Sequence, residues 1–295
     1  MKKIAVIGSN NMDMTAAAER IPRPGETVGA SGVAYVPGGK GANQAVAAAR
    51  LGGDVTMFGC VGDDAFAPQL VENLRRNGVN ADGVETLPGE SSGLAMIVVA
   101  ENDNAITVIP GANGRVTPAY LDRHWPEIER ADVVLLQNEI PAETVRHAAL
   151  RLRAAGKTVI FNPAPAAPAD GELLDAVTFF TPNEHETRIV LGDDETPVET
   201  LIERFGGKLI VTLGSRGIGG CGPDGKFQRI PAIKAKVVDT TGAGDTMNGA
   251  FAFALAEGMN ELDALRFSNA AAGIATEKAG AQAGMPTRAE TEARL

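Results

Sequence analysis

With 295 residues the chain is long enough to bury a sizeable core, as one large α/β domain or two small ones. Apolar residues at 44% and charged residues at 22% fit a soluble globular protein, and a net charge of −10 argues against general nucleic-acid binding, which needs a basic face. There is no apolar run long enough to span a membrane, and the one behind Lys2 and Lys3 is too short for a signal peptide, so the expected location is the cytoplasm.

Lys3–Ile7 is a short apolar run rich in branched side chains, the pattern of a central parallel strand. Asn10, Asn11 and Asp13 follow its carboxyl end, where α/β sheets place ligands, although the same residues also make plain turns. From Met14 to Val36, prolines and glycines break the chain into short strand-like pieces. Gly38-Gly39-Lys40-Gly41 then leads into a helix over Ala42–Leu51. The Walker spacing is absent, so these glycines suit close backbone approach to a small polar ligand, and a hinge. A strand over Val55–Gly59 and a helix over Asp64–Asn77 come next. Two strand-like runs, Gly93–Ala100 and Ala105–Ile109, are joined by the hairpin turn Glu101-Asn102-Asp103-Asn104, which predicts a small accessory sheet.

The α/β alternation then resumes. Helices are predicted over Thr117–Arg130, with Pro118 in its first turn, and over Ala142–Ala155. Strands are predicted over Val133–Leu136, ending in Gln137-Asn138-Glu139, and over Thr158–Phe161. Glu139 is either a ligand contact or a surface glutamate. A strand over Val177–Phe180 runs into Asn183-Glu184-His185-Glu186, in itself a common capping arrangement. Leu209–Leu213 leads to Gly214-Ser215-Arg216-Gly217, a tight turn able to present N–H groups to phosphate. Arg216 is equally at home as a solvated turn residue. Gly217–Cys221, Phe227–Ile230 and Lys236–Val238 read as further short strands, and a last helix spans Leu262–Glu277. Cys60 and Cys221 lack metal-ligand spacing, the three histidines form no ligand pair, and both thiols are expected in the core.

Between the last two runs stands Asp239-Thr240-Thr241-Gly242-Ala243-Gly244-Asp245-Thr246-Met247-Asn248-Gly249, followed by the helix-forming Ala250–Glu257. The Gly242-Ala243-Gly244 turn at a helix N-terminus offers free N–H groups and the positive end of the dipole to an anion. A carboxylate at that point repels a simply bound phosphate. It makes sense where an alcohol must lose its proton to attack a phosphoryl group held by the N–H groups, with Asp245 as the base. As an isolated Gly-x-Gly-Asp, the carboxylate is as readily a helix cap.

The whole Asp239–Gly249 stretch closely resembles the C-terminal signature of the ribokinase (PfkB-type) sugar kinases, and Gly38-Gly39-Lys40-Gly41-Ala42-Asn43-Gln44-Ala45 resembles their N-terminal signature. The resemblance covers nearly the whole chain. It implies a single ribokinase-like α/β domain over residues 1–295, a doubly wound, mostly parallel sheet flanked by helices. A small β-sheet lid would be formed by residues 14–37 and 93–109. It also implies that Asn11, Asp13, Gly39, Lys40, Asn43 and Glu139 bind the sugar, and that Asn183 and Glu186 position hydrated Mg²⁺ and the phosphates of ATP. Thr212, Leu213, Gly214, Ser215, Arg216, Gly217 and Gly244 would contact the nucleotide. Asn269 would stand on the adenine side, where relatives often carry histidine. Asp239 and Thr241, with Ala275, Lys278, Gly280 and Gly284, would coordinate K⁺, and a homodimer would cover the lid's open face.

The pocket so assembled is rich in hydrogen-bonding groups, as a small polyol requires, and aromatics at 4% are few for stacking a nucleobase. Transfer of the γ-phosphoryl of ATP to the 5-hydroxyl of D-ribose is the expected reaction, with fructose, 2-keto-3-deoxygluconate and nucleosides as alternatives. A dinucleotide-dependent oxidoreductase would need Gly-x-Gly-x-x-Gly after the first strand, and it is missing. A non-catalytic sugar-binding relative would have no need of Asp245, the glycine turn and Asn183 with Glu186 together.

Overall fold

The computed structural model describes residues 2–100 and 103–295, so Glu101 and Asn102 of the expected hairpin turn lie outside it. Strand β1 (Lys3–Ile7) is central, and Ile4 to Ile7 are buried on both faces. Ala5 and Ile7 enter one core, Ile4 and Val6 the other, because successive side chains leave opposite sides of the pleat.

The elements then run β2 (Asn11–Ala18), β3 (Ala30–Gly38), α1 (Lys40–Arg50), β4 (Asp54–Gly62), α2 (Ala67–Arg76), β5 (Asn80–Leu87), β6 (Gly93–Ala100) and β7 (Asp103–Ile109). Next come α3 (Pro118–Ile128), β8 (Val133–Gln137), α4 (Ala142–Ala154), β9 (Thr158–Asn162), α5 (Gly171–Ala176), β10 (Phe179–Phe180), α6 (Glu184–Leu191) and α7 (Val198–Arg204). The chain ends with β11 (Val211–Thr212), β12 (Ile218–Cys221), β13 (Phe227–Ile230), α8 (Ala243–Ala256), α9 (Glu261–Ala275) and α10 (Arg288–Glu292).

Six strands form the expected parallel sheet in the order β10-β9-β8-β1-β4-β5, with helices packed on its faces. A four-stranded sheet, β3-β2-β6-β7, stands apart from it, as does a small antiparallel sheet, β11-β12-β13. In the four-stranded sheet Asp13 shares a cross-strand row with Val36, Ala95 and Val108. Strand alternation places Val99 and Ile106 on the same face, and Val36, Val99, Ile106 and Val108 are all exposed.

Several expected elements differ. Lys236–Val238 is no strand: Val237 and Val238 are exposed, and the N–H groups of Val238 and Asp239 both donate to the carbonyl of Thr276 at the end of α9. With a helix terminus satisfying its backbone, this segment needs no ladder. The helix expected from Asp64 starts at Ala67, because Asp64 Oδ1 accepts the N–H groups of Phe66 and Ala67 in a local turn. The helix after the glycine-rich turn begins at Lys40, capped by Gly39 at φ 89°. Strand β5 was not legible, since Asn80, Asp82 and Gly83 disguise it; pairing with β4 overrides their weak strand preference. Cys60 is buried as expected, whereas Cys221 is only half-buried.

Candidate active site

The N-terminus of α8 forms the floor of the site. Gly242 caps it in the left-handed region at φ 76°, and a Cβ there would stand 2.8 Å from Ala281 Cα. Glycine thus allows both the turn and its close backing by the C-terminal loop. The N–H of Ala243 is taken by the carbonyl of Thr240 at 3.2 Å. The expected trio of donors is therefore reduced: among the described residues, Gly242 and Gly244 keep N–H groups without a protein acceptor, and both line a cavity of about 160 Å³.

Asp245, in the first turn of α8, lines the same cavity and is only 8% exposed. Its Oδ2 accepts Asn43 Nδ2 at 2.9 Å and its Oδ1 accepts Gln44 Nε2 at 3.1 Å. These two residues of α1 reach the carboxylate because α1 and α8 pack closely. A Cβ on Gly249 would lie 2.5 Å from the carbonyl of Gln44, so the last glycine of the motif is what lets the helices approach. Gln44 is itself fixed, accepting Gln137 Nε2 at 2.7 Å and donating to Asn162 Oδ1 at 3.1 Å. Each oxygen of Asp245 keeps a lone pair for an incoming hydroxyl.

The candidate sugar groups converge beside this carboxylate. Glu139 Oε2 accepts Ser9 Oγ at 2.5 Å and the backbone N–H of Lys40 at 2.9 Å. Asn11 Oδ1 accepts Asn113 Nδ2 at 2.7 Å, and a Cβ on Gly39 would lie 2.8 Å from Asn11 N. Burial, then the charges of Glu139 and Asp245, push the Asp13 carboxyl up to about 7 despite nearby Lys40. Burial disfavours the Lys40 ammonium, but Asp245, Glu139, Glu186 and Asp13 outweigh it and hold the group above its ordinary value.

Asn183, Thr212 and Gly244 line both this cavity and an adjoining cleft of about 660 Å³. Ile218, Ile233, Met247 and Ala272 give the cleft apolar walls that suit a flat ring. Gly214, Ser215, Gly217 and Asn269 also face it, and Asn269 Nδ2 donates to the carbonyl of Pro231 at 2.7 Å. Leu213 instead sits in the core, and Arg216 pairs with Glu184 on the surface. Asn183 and Glu186 form a capping box on α6, so the capping reading of this motif and its place at the cavity both hold.

Behind the turn, Asp239 accepts Thr241 N at 2.9 Å, Thr241 Oγ1 at 2.6 Å and Gly280 N at 2.8 Å. Burial would raise this carboxyl, but the hydrogen bonds prevail and hold it below the usual range. A Cβ on Gly284 would collide with the carbonyl of Ala275, which brings those two candidates together, whereas Lys278 is exposed. Among the described residues no cluster of three or more His, Cys, Asp or Glu could hold a metal.

Residues 1–288 match the family described as pfkB family carbohydrate kinase. The chain is 46% identical to a ribokinase of Lactococcus lactis, covering 100% of this chain and 97% of that protein. It is also 46% identical to a ribokinase of Bacillus subtilis, covering 100% of both. Among solved structures, an Arabidopsis thaliana ribokinase complexed with ribose and ATP superposes with a TM-score of 0.91 at 33% identity, covering 99% of this chain and 98% of that one.

Proposed function

The chain belongs to the pfkB family of carbohydrate kinases, and from that premise we propose that it is an ATP-dependent ribokinase with Asp245 as general base. The observation that carries this reading is the placement of one buried carboxylate, held by two amides, where the free N–H groups of a helix N-terminus meet a cavity.

ATP lies with its base in the apolar cleft and its phosphates toward Gly242 and Gly244, and D-ribose lies among Asn11, Asp13, Gly39, Lys40, Asn43 and Glu139. Asp245 takes the proton of the 5-hydroxyl as that oxygen attacks the γ-phosphorus and the bond to the β-phosphate oxygen breaks. The N–H groups of Gly242 and Gly244 face the developing charge, and Lys40 offsets the carboxylates around it. Thr212, Leu213, Gly214, Ser215, Arg216 and Gly217 form the nucleotide turn, those facing the cleft making direct contact.

The donor set fits a hydrated Mg²⁺. Asn183 and Glu186 would hold it, since Glu186 Oε1 has no protein partner among the described residues and Mg²⁺ needs only one or two carboxylates beside water and phosphate. Such an ion supplies charge neutralisation on the phosphates. The carboxylate of Asp239 and the nearby loop suit K⁺, with Thr241, Ala275, Lys278, Gly280 and Gly284 as the remaining candidates; the ion would order the anion turn from behind. Residues 14–37 and 93–109 act as the lid of a single domain, and a second copy of the chain covers the exposed face that carries Val36, Val99, Ile106 and Val108. Among the described residues no helix is long and apolar enough to cross a membrane, and we place the enzyme in the cytoplasm.

A coupled ADP-release assay tests the acceptor. D-Ribose should give a higher kcat/KM than fructose, 2-keto-3-deoxygluconate or adenosine, and K⁺ should raise it. Turnover of a nucleoside with none of D-ribose would overturn the assignment.

A further inference from the structure

Asn43, which touches the base, is the last member of a continuous series of side-chain amides. Arg50 Nε, at the far end of α1, donates to Asn77 Oδ1 at 2.9 Å, and Asn77 Nδ2 donates to Asn73 Oδ1 at 3.3 Å. Asn73 Nδ2 donates to Gln282 Oε1 at 2.8 Å, and Gln282 Nε2 donates to Asn43 Oδ1 at 2.9 Å. Asn43 Nδ2 then donates to Asp245 Oδ2 at 2.9 Å.

The two ends fix the direction of everything between them. A guanidinium can only donate and an ionised carboxylate can only accept, whereas each amide can do either, depending on which way it is turned. Reversing any one amide sets oxygen against oxygen on one side and NH₂ against NH₂ on the other. Gln282 and Asn43 are 6% and 5% exposed, so water is poorly placed to repair such a fault. Arg50 also donates through Nη1 to the carbonyls of Gln282 and Met285, tying down the backbone of the loop that supplies Gln282. That loop is the one whose Ala281 backs Gly242.

We infer that Gln282 is a positioning residue for the reaction: it orients the Asn43 amide so that an N–H, not a carbonyl oxygen, faces Asp245, with Arg50 setting the direction through Asn77 and Asn73. The inference rests on Asp245 being the base. It links the C-terminal loop to the reacting hydroxyl by way of α1, a route separate from the anion turn that the loop also supports.

Gln282→Glu tests it. The new carboxylate still accepts from Asn73 but opposes Asn43 Oδ1, so Asn43 turns over and presents oxygen to Asp245. The acid limb of the pH profile of kcat/KM for D-ribose should move up by about one to two pH units, the worth of a hydrogen bond to a charged group. ATP affinity should be unchanged. Gln282→Met, which removes the donor without adding a competing acceptor, should move it less and in the same direction, and serves if the Glu variant folds poorly. Lys40 on α1 and Glu186 on α6 line the cavity, and Asp13 on β2 and Glu139 just beyond β8 lie within electrostatic reach of Lys40. They are common to all variants, and Gln282→Met adds no charge, so its profile separates the turned amide from the direct effect of a new carboxylate on Asp245. An unshifted acid limb in Gln282→Met, whatever the loss of kcat or of thermal stability, overturns the inference and leaves the base assignment standing. An Asp245→Asn variant that turns over at close to the parent rate overturns both.

Discussion

Asp245 and Asp13 are neighbouring carboxyls with opposite surroundings. Both oxygens of Asp245 accept an amide N–H, from Asn43 and from Gln44, and further amides hold those in place. The side chain of Asp13 has no hydrogen-bond partner among the described residues, and burial beside Glu139 and Asp245 pushes it up to about 7. On the proposed reading, the group that must take a proton is held in place and aimed. The group that must bind hydroxyls is left unpaired until a ligand supplies the donors, and desolvating it that way costs stability unless those donors arrive.

Stripping the amides from Asp245 tests that contrast most severely. Asn43→Leu with Gln44→Leu should lower kcat by roughly 10²–10³, the scale of lost electrostatic preorganisation, measured at saturating D-ribose and ATP. A loss confined to KM would mean that the amides bind sugar without aiming the base. Asp13→Asn should instead raise KM for D-ribose by about tenfold or more with kcat changed less, because it removes a charge-assisted hydrogen bond in the ground state.

The same substitution sharpens the comparison in the free protein. The raised carboxyl of Asp13 binds its proton more tightly folded than unfolded, so its contribution to stability is full below its ordinary 3.8 and is lost as pH rises through about 7. Across that window the melting temperature of Asp13→Asn should fall less with pH than that of the parent chain. An identical slope would place Asp13 in water. The smallest effect on catalysis is expected at β7, the edge strand of the proposed lid, where Ile106→Lys with Val108→Lys should dissociate the proposed dimer in sedimentation experiments.

Much of this arrangement was legible in the sequence because it is carried by short contiguous stretches. Gly242, Gly244 and Asp245 follow one another onto α8, and Lys40, Asn43 and Gln44 share α1, so the two stretches together carry most of the candidate site. Even so, the motif alone gives Gln44 no role, since its bond to Asp245 depends on how closely Gly249 lets two helices approach. Asn73 and Asn77 stand at the end of α2 and Gln282 in the C-terminal loop, with nothing local to link them to Asn43 on α1. Leu213 and Arg216 show the reverse: both belong to a turn that resembles a nucleotide contact, yet packing buries one and an ion pair with Glu184 engages the other. The strand expected over Lys236–Val238 failed for a similar reason, its valines favouring a ladder while the end of α9 claimed the N–H groups of Val238 and Asp239.

The most direct test is single-turnover transfer by Asp245→Asn, with binding of ATP and D-ribose measured separately. The account predicts that both ligands bind with near-normal affinity while formation of D-ribose 5-phosphate slows by roughly 10²–10⁴ or more. Transfer at close to the parent rate would contradict it.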